Sequence, residues 1–306
     1  MEEFIRQLNL TVLLPLGAAL LMVLAVRRKW IEKRPSLRHV FTTALVALPL
    51  PFAFLVWLPR EQAMGLLRLN LHDDWQALAY LSLVGGLIGL IPALLLPDKP
   101  WRTGLVALLL AGGTTLCIWP IVEQDGWDRR LAPGLVTALL FALLQPLGRR
   151  RPATLAACLW IACVAAGSVA LFMLGQRQIA AAVSPIGASL LVLAASARWK
   201  GLHLRDGALA AALPVLVCVP AAAWLYQTAL GVAYPMALIL VTAAAPVAAW
   251  LTLSKLLRSK RPWISTLVAA IATAVLAGAA IGAMLLLEGA GIEEDPYTDM
   301  YGSVGG

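Results

Sequence analysis

Apolar runs alternate with short polar connections along the whole chain, at roughly 8–26, 40–58, 76–97, 103–122, 133–147, 153–174, 179–197, 207–226, 233–253 and 264–287. Each run holds roughly 15–24 uncharged residues, near the ~20 that a helix needs to cross ~30 Å of hydrocarbon. Helices satisfy their own backbone hydrogen bonds, and the period-two alternation of a membrane β-barrel is missing. The pattern predicts an all-α integral membrane protein: one polytopic domain over 1–306 with about ten transmembrane helices. The fifth run, confined between Pro133 and Pro146, is the shortest.

Composition agrees with that reading. Hydrophobic residues make up 61% of the chain and charged residues 13%, whereas soluble domains carry about 25% charged residues. The mean hydropathy is +0.83.

Charge sorting sets the expected orientation. Of 24 basic residues, 18 fall in the first, third, fifth, seventh and ninth connections, among them Arg27–Lys29, Lys99, Arg102, Arg149–Arg151, Arg205 and Arg261. By the positive-inside rule these connections are cytoplasmic and both termini lie outside. Acidic residues run the other way: only Glu32, Asp98 and Asp206, out of 16, share the basic side. The net charge of +8 therefore describes one face, where basic loops rest against anionic headgroups. Nucleic acid is not an expected partner. The expected location is the cell's inner (cytoplasmic) membrane. The first run ends at Arg27-Arg28-Lys29 and not at a small-residue cleavage site, so it reads as a retained helix.

Proline, tryptophan and tyrosine recur in order at the two ends of the chain. Pro15-Leu16-Gly17-Ala18 answers to Pro185-Ile186-Gly187-Ala188, and Leu48-Pro49 with Trp57 answers to Leu213-Pro214 with Trp224. Tyr80 and Pro92 match Tyr234 and Pro246, and Pro100-Trp101 matches Pro262-Trp263. These matches suggest a parallel internal repeat of helices 1–4 (about 8–122) and 7–10 (about 179–287). A linking hairpin (about 133–174) joins the copies, and an acidic outer tail (288–306) follows. Such repeats are a known carrier construction. A shorter echo, Lys/Arg-Pro at Arg34-Pro35, Lys99-Pro100, Arg151-Pro152 and Arg261-Pro262, suggests tight turns with proline in the first turn of the next helix.

Chemistry is sparse. No Asp, Glu, Lys, Arg or His occupies the middle of any run, which argues against an ion-coupled pump, a rhodopsin or a b-type cytochrome. Cys117, Cys158, Cys163 and Cys218 all lie inside runs and read as small hydrophobes. The most reactive-looking cluster is His72-Asp73-Asp74, a weak catalytic candidate on the outer face. One histidine falls short of a zinc site, and a solvated helix start whose acids are favoured by the dipole is the default reading of the cluster. No catalytic, cofactor or metal site is assigned. Bound lipid is the one expected ligand.

Two acidic outer segments, one with Glu123, Asp125 and Asp128 and the other with Glu293, Glu294, Asp295 and Asp299, could supply oxygen ligands to Ca²⁺ but lack the twelve-residue spacing of a dedicated loop, and they suit docking to a basic partner at least as well. Gly85-Gly86, Gly112-Gly113, Gly167-Ser168 and Gly278-x-x-x-Gly282 mark surfaces for close helix approach. The boundary tryptophans, Trp75 among them, read as an interface belt. Thr114, Thr115, Thr242 and Thr273 are the polar residues that would line a cavity.

Three readings follow. The first is a non-catalytic subunit anchoring or scaffolding a larger cell-envelope complex, with membrane lipids and other membrane or envelope subunits as partners. The second is a carrier or flippase for a lipid-like or small apolar molecule. The third is a membrane enzyme built on His72, Asp73 and Asp74.

Overall fold

Each Lys/Arg-Pro step begins a helix. In this computed structural model, which describes residues 12–25, 28–68, 73–122, 127–228, 235–253 and 261–290, the principal helices are α1 (Leu14–Ala25), α2 (Pro35–Ala47), α3 (Pro49–Trp57), α4 (Leu78–Leu95), α5 (Pro100–Ile118), α6 (Trp127–Arg150), α7 (Pro152–Ser168), α8 (Val183–Lys200), α9 (Gly207–Thr228), α10 (Met236–Ala244) and α11 (Pro262–Ala290). No strand occurs among the described residues. Proline opens α2, α5, α7 and α11, where its missing N–H is no loss. Arg34 and Lys99 before it are extended, the conformation that proline imposes on its predecessor.

Nine helical stretches among the described residues are long and apolar enough to cross a membrane: Pro35–Trp57, Asp74–Leu95, Pro100–Ile121, Leu131–Arg150, Pro152–Met173, Arg177–Ala197, Gly207–Tyr226, Met236–Leu253 and Pro262–Leu287. The chain is thus a multi-pass helical membrane protein. The first apolar run contributes the 12-residue α1.

The fifth run departs from expectation. Pro133 and Pro146 do not bound the helix; both lie inside the 24-residue α6. A transmembrane helix tolerates proline when neighbours take up the freed backbone groups. The Trp250 indole donates to the Leu143 carbonyl at 3.1 Å, one residue past the Ala142 carbonyl that Pro146 leaves without its helical donor. At the α2–α3 junction the freed carbonyl itself is taken up. Pro51 has no N–H to offer the Ala47 carbonyl, and the buried Ser82 hydroxyl donates to that oxygen at 2.8 Å. Pro246 sits where α10 gives way to a 3₁₀ segment, Ala245–Leu253.

Packing is centred on α9. Every residue of the Gly207–Leu225 stretch is buried, and the helix contacts α2, α4, α6 and α10. Small residues make this possible. A Cβ on Gly85 would lie 2.1 Å from the Ala210 carbonyl oxygen, and one on Gly89 would lie 2.7 Å from Gly207 Cα. Backbones thus meet without side chains between them, the contact that drives helix association where lipid removes the hydrophobic incentive.

The last span is the opposite case. α11 buries one stripe, Ser265, Ala269, Thr273, Ala277, Ala280 and Met284, against α7, α10 and the 3₁₀ segment. A Cβ on Gly278 or Gly282 would meet nothing within 4 Å. That small-xxx-small pair therefore makes no close approach among the described residues, contrary to its reading from sequence. The close approaches instead involve Gly85, Gly86 and Gly113, as expected, together with Gly89, Gly134, Gly148 and Gly207, whereas Gly112 meets nothing within 4 Å.

Candidate functional site

Charges read as solvated loop residues converge into a buried cluster at the basic end of the bundle. Its centre is Asp206, the residue before α9, with a side chain 3% exposed. Oδ1 accepts from Arg102 Nη2 at 3.0 Å and from Gln145 Nε2 at 3.0 Å. Oδ2 accepts from Arg205 Nε at 2.5 Å and lies 3.6 Å from His39 Nδ1. Asp98 forms a second, half-open layer. It pairs with Arg102 at 3.0 Å, with Arg205 at 3.2 Å, and with Arg149. Gln145 Oε1 accepts from the Thr103 hydroxyl at 2.5 Å, and Arg102 Nη1 donates to the Leu96 carbonyl at 3.2 Å.

Local backbone chemistry brings these groups together. Gly201 ends α8 in the left-handed conformation at φ 68°, as glycine does at helix C-termini. The chain then runs inward through the buried Leu202 and Leu204. Asp206 takes φ 48°, a region open to few residues besides glycine, asparagine and aspartate, and its carbonyl accepts from Ala210 N–H in the first turn of α9. The inward segment fits only because position 148 lacks a side chain. A Cβ there would lie 1.6 Å from the Leu204 carbonyl oxygen.

Electrostatics explain why the cluster is paired so completely. An unpaired carboxylate in such a place costs several kcal/mol, whereas pairing with hydrogen bonds to both oxygens offsets the desolvation. The cluster joins the start of α2, the α4–α5 turn, the end of α6 and the α8–α9 connection, so the first, third, fifth and seventh connections lie at one end. The expectation that these residues merely rest against headgroups is corrected for Arg102 and Asp206, 3% and 2% exposed. Two nitrogens in the same region, Arg38 Nε and His203 Nδ1, are buried without a hydrogen-bond partner. Burial, followed by the charges of Arg38 and Arg205, holds the His203 imidazole below its ordinary value.

The opposite end is aromatic. Trp75 packs against Phe54 and Trp57 with ring centroids 5.5 and 5.8 Å apart. It is buried, at 9% exposure, and so is not an interface residue as its boundary position suggested. Arg129 lies 5.3 Å over the Trp224 ring, within cation–π range.

Asp73 and Asp74 are exposed at the start of a 3₁₀ turn, and His72 lies outside the described residues. Glu123, Asp125, Glu293, Glu294, Asp295 and Asp299 also lie outside them, as does the side chain of Asp128. No group of three or more metal-ligating side chains occurs among the described residues. Thr242 and Thr273 are buried and donate within their own helices, to Ile239 and Ala269 carbonyls. Thr115 packs where Gly134 brings α6 against α5, and the buried Thr114 hydroxyl has no partner.

Sequence reasoning missed the ionic cluster because each member looked like an ordinary turn charge. The available signal was the rarity of acids on the basic side: of Glu32, Asp98 and Asp206, the last two are its anions. Searches with the chain find no matching family model, no matching curated protein and no matching solved structure.

Proposed function

We propose that this chain is a non-catalytic membrane subunit that anchors or scaffolds a larger cell-envelope complex, seated in the cytoplasmic membrane with both termini outside. The supporting observation is the centre of the bundle. A carrier built on repeats needs a cavity between its halves near the bilayer midplane, and here the middle is occupied by α9, buried along its length and in backbone contact with α4. Ionisable groups gather at the ends of the spans, where Asp98 and Asp206 are paired with Arg102, Arg149 and Arg205. Such a body resists rearrangement and presents long apolar helix faces, such as that of α11, to its surroundings.

The test is purification from the native membrane in mild detergent, with sedimentation and quantitative mass spectrometry against an unrelated membrane bait. Companions at fixed stoichiometry, co-sedimenting with the chain, are expected. A lone protein that carries a small apolar molecule, and moves it across reconstituted vesicles, would overturn the subunit reading in favour of a carrier.

A further inference from the structure

Met236–Leu253 is the shortest of the membrane-crossing stretches among the described residues, with 18 residues against 20 to 26 in the others. Its ends are set by Pro235, which is extended, and by Lys255, two positions beyond Leu253. As an unbroken α-helix it would reach about 27 Å, short of the ~30 Å of a typical hydrocarbon core. It is not unbroken. α10 ends at Ala244, and Ala245–Leu253 is a 3₁₀ helix of nine residues, where runs beyond three or four are uncommon. With a rise of about 2.0 Å per residue in place of 1.5 Å, this second half brings the whole stretch to about 31 Å. The 3₁₀ winding supplies the length that the residue count lacks.

Local sequence starts this winding and does not continue it. Pro246 has no N–H to offer the Thr242 carbonyl, which accepts instead from the Ala245 N–H, one residue earlier. Val247 to Leu253 all carry N–H groups, and Ala248, Ala249 and Leu251 favour an α-helix. What holds them is tertiary. The Trp250 indole donates to the Leu143 carbonyl of α6 at 3.1 Å, and Ala248, Ala249 and Thr252 are buried in a segment that packs on α7 and α11. A return to α winding from Pro246 onward would shorten the segment by about 4–5 Å and turn Trp250 by about 80°, off Leu143. Two windings that differ in length across a bilayer are weighted by its thickness, because mismatch carries a cost for every ångström. We propose that Ala245–Leu253 is a thickness-sensitive element, 3₁₀ and latched by Trp250 in a bilayer of ordinary depth, α-helical and released in a thinner one. The change is confined to the flank of the bundle and leaves the contacts of α9 in place. It goes beyond the subunit reading, since a subunit or a carrier could contain it.

Double electron–electron resonance on the full-length protein in vesicles tests this. Cys117, Cys158, Cys163 and Cys218 are replaced by alanine, and spin labels are attached at two exposed positions, Leu139→Cys on α6 and Leu251→Cys on the 3₁₀ segment. A second pair, Leu139→Cys with Leu191→Cys on α8, reports on the rest of the bundle. The vesicles are phosphatidylcholines whose hydrocarbon cores are about 30 Å and about 24 Å deep. One distance is expected for the first pair in the thicker bilayer, and in the thinner one a second population displaced by about 3 Å or more. The second pair should not change. Trp250→Phe, which keeps a ring and loses the donor, should enlarge the displaced population about twofold or more in the thinner bilayer. A first-pair distribution that is the same at both thicknesses would overturn the proposal. So would an equal displacement in both pairs, since the whole bundle would then be responding, and so would a Trp250→Phe population no larger than that with Trp250 in place. If Trp250→Phe does not reconstitute, the thickness comparison with Trp250 in place decides.

Discussion

The two ends of α9 are fastened by different physics. At the basic end, Asp206 is held by two arginines, a glutamine and a histidine, and a glycine lets the preceding segment approach α6. At the other end, Trp224 lies under Arg129, and the Phe54, Trp57 and Trp75 rings pack against one another. Charge pairing is directional and tolerates little displacement; ring packing is broad and adaptable. The basic end should therefore fix the register of α9, and the aromatic end should chiefly fill space.

The largest expected effect comes from removing the central anion. Asp206→Ala leaves Arg102 buried without its deepest partner and should destabilise the fold by about 3–5 kcal/mol, seen as a loss of monodisperse protein or a large drop in melting temperature in detergent. Gly148→Ala should rank next, at about 1–3 kcal/mol, because the new methyl overpacks the Leu204 backbone; thermal unfolding measures it. Trp57→Leu, at the aromatic end, should cost about 1 kcal/mol, the scale of a lost aromatic pair. Asp73→Asn with Asp74→Asn should leave melting and assembly unchanged by the same assays. Were Trp57→Leu to cost more than Asp206→Ala, the assignment of register to the basic end would be wrong.

What the sequence revealed divides along the same line. Span existence was legible, because length and hydropathy respond only to the bilayer, and so were the Lys/Arg-Pro helix starts, because proline acts on its immediate neighbours. Which span sits in the middle was not legible. α9 reads as apolar as its companions, with a mean hydropathy of 2.2 against 2.3 for the exposed Pro262–Leu287, since lipid and protein interior reward the same side chains. Pairing the 207–226 run with the 40–58 run as repeat partners carries no information on which is central. The ionic cluster was hidden because its members are up to 167 positions apart, His39 to Asp206, and nothing local distinguishes a buried turn arginine from a solvated one. Gly278 and Gly282 misled for a related reason: spacing shows that a surface is smooth and says nothing of what lies against it.

The position of α9 in the chain bears on how the protein is made. Seven apolar runs precede the central helix, so the spans before Gly207 enter the bilayer with no core to close upon. Until then Arg102 and Gln145 lack the carboxylate that later joins them, and Gly85 and Gly89 face lipid where a helix backbone belongs. Assembly is thus a threading problem: the early helices must remain loosely associated, with a vacant lane between them, until the eighth apolar run arrives and Asp206 locks it at the basic end. A chain halted just after Lys200 would expose that lane, making it a natural substrate for membrane quality control.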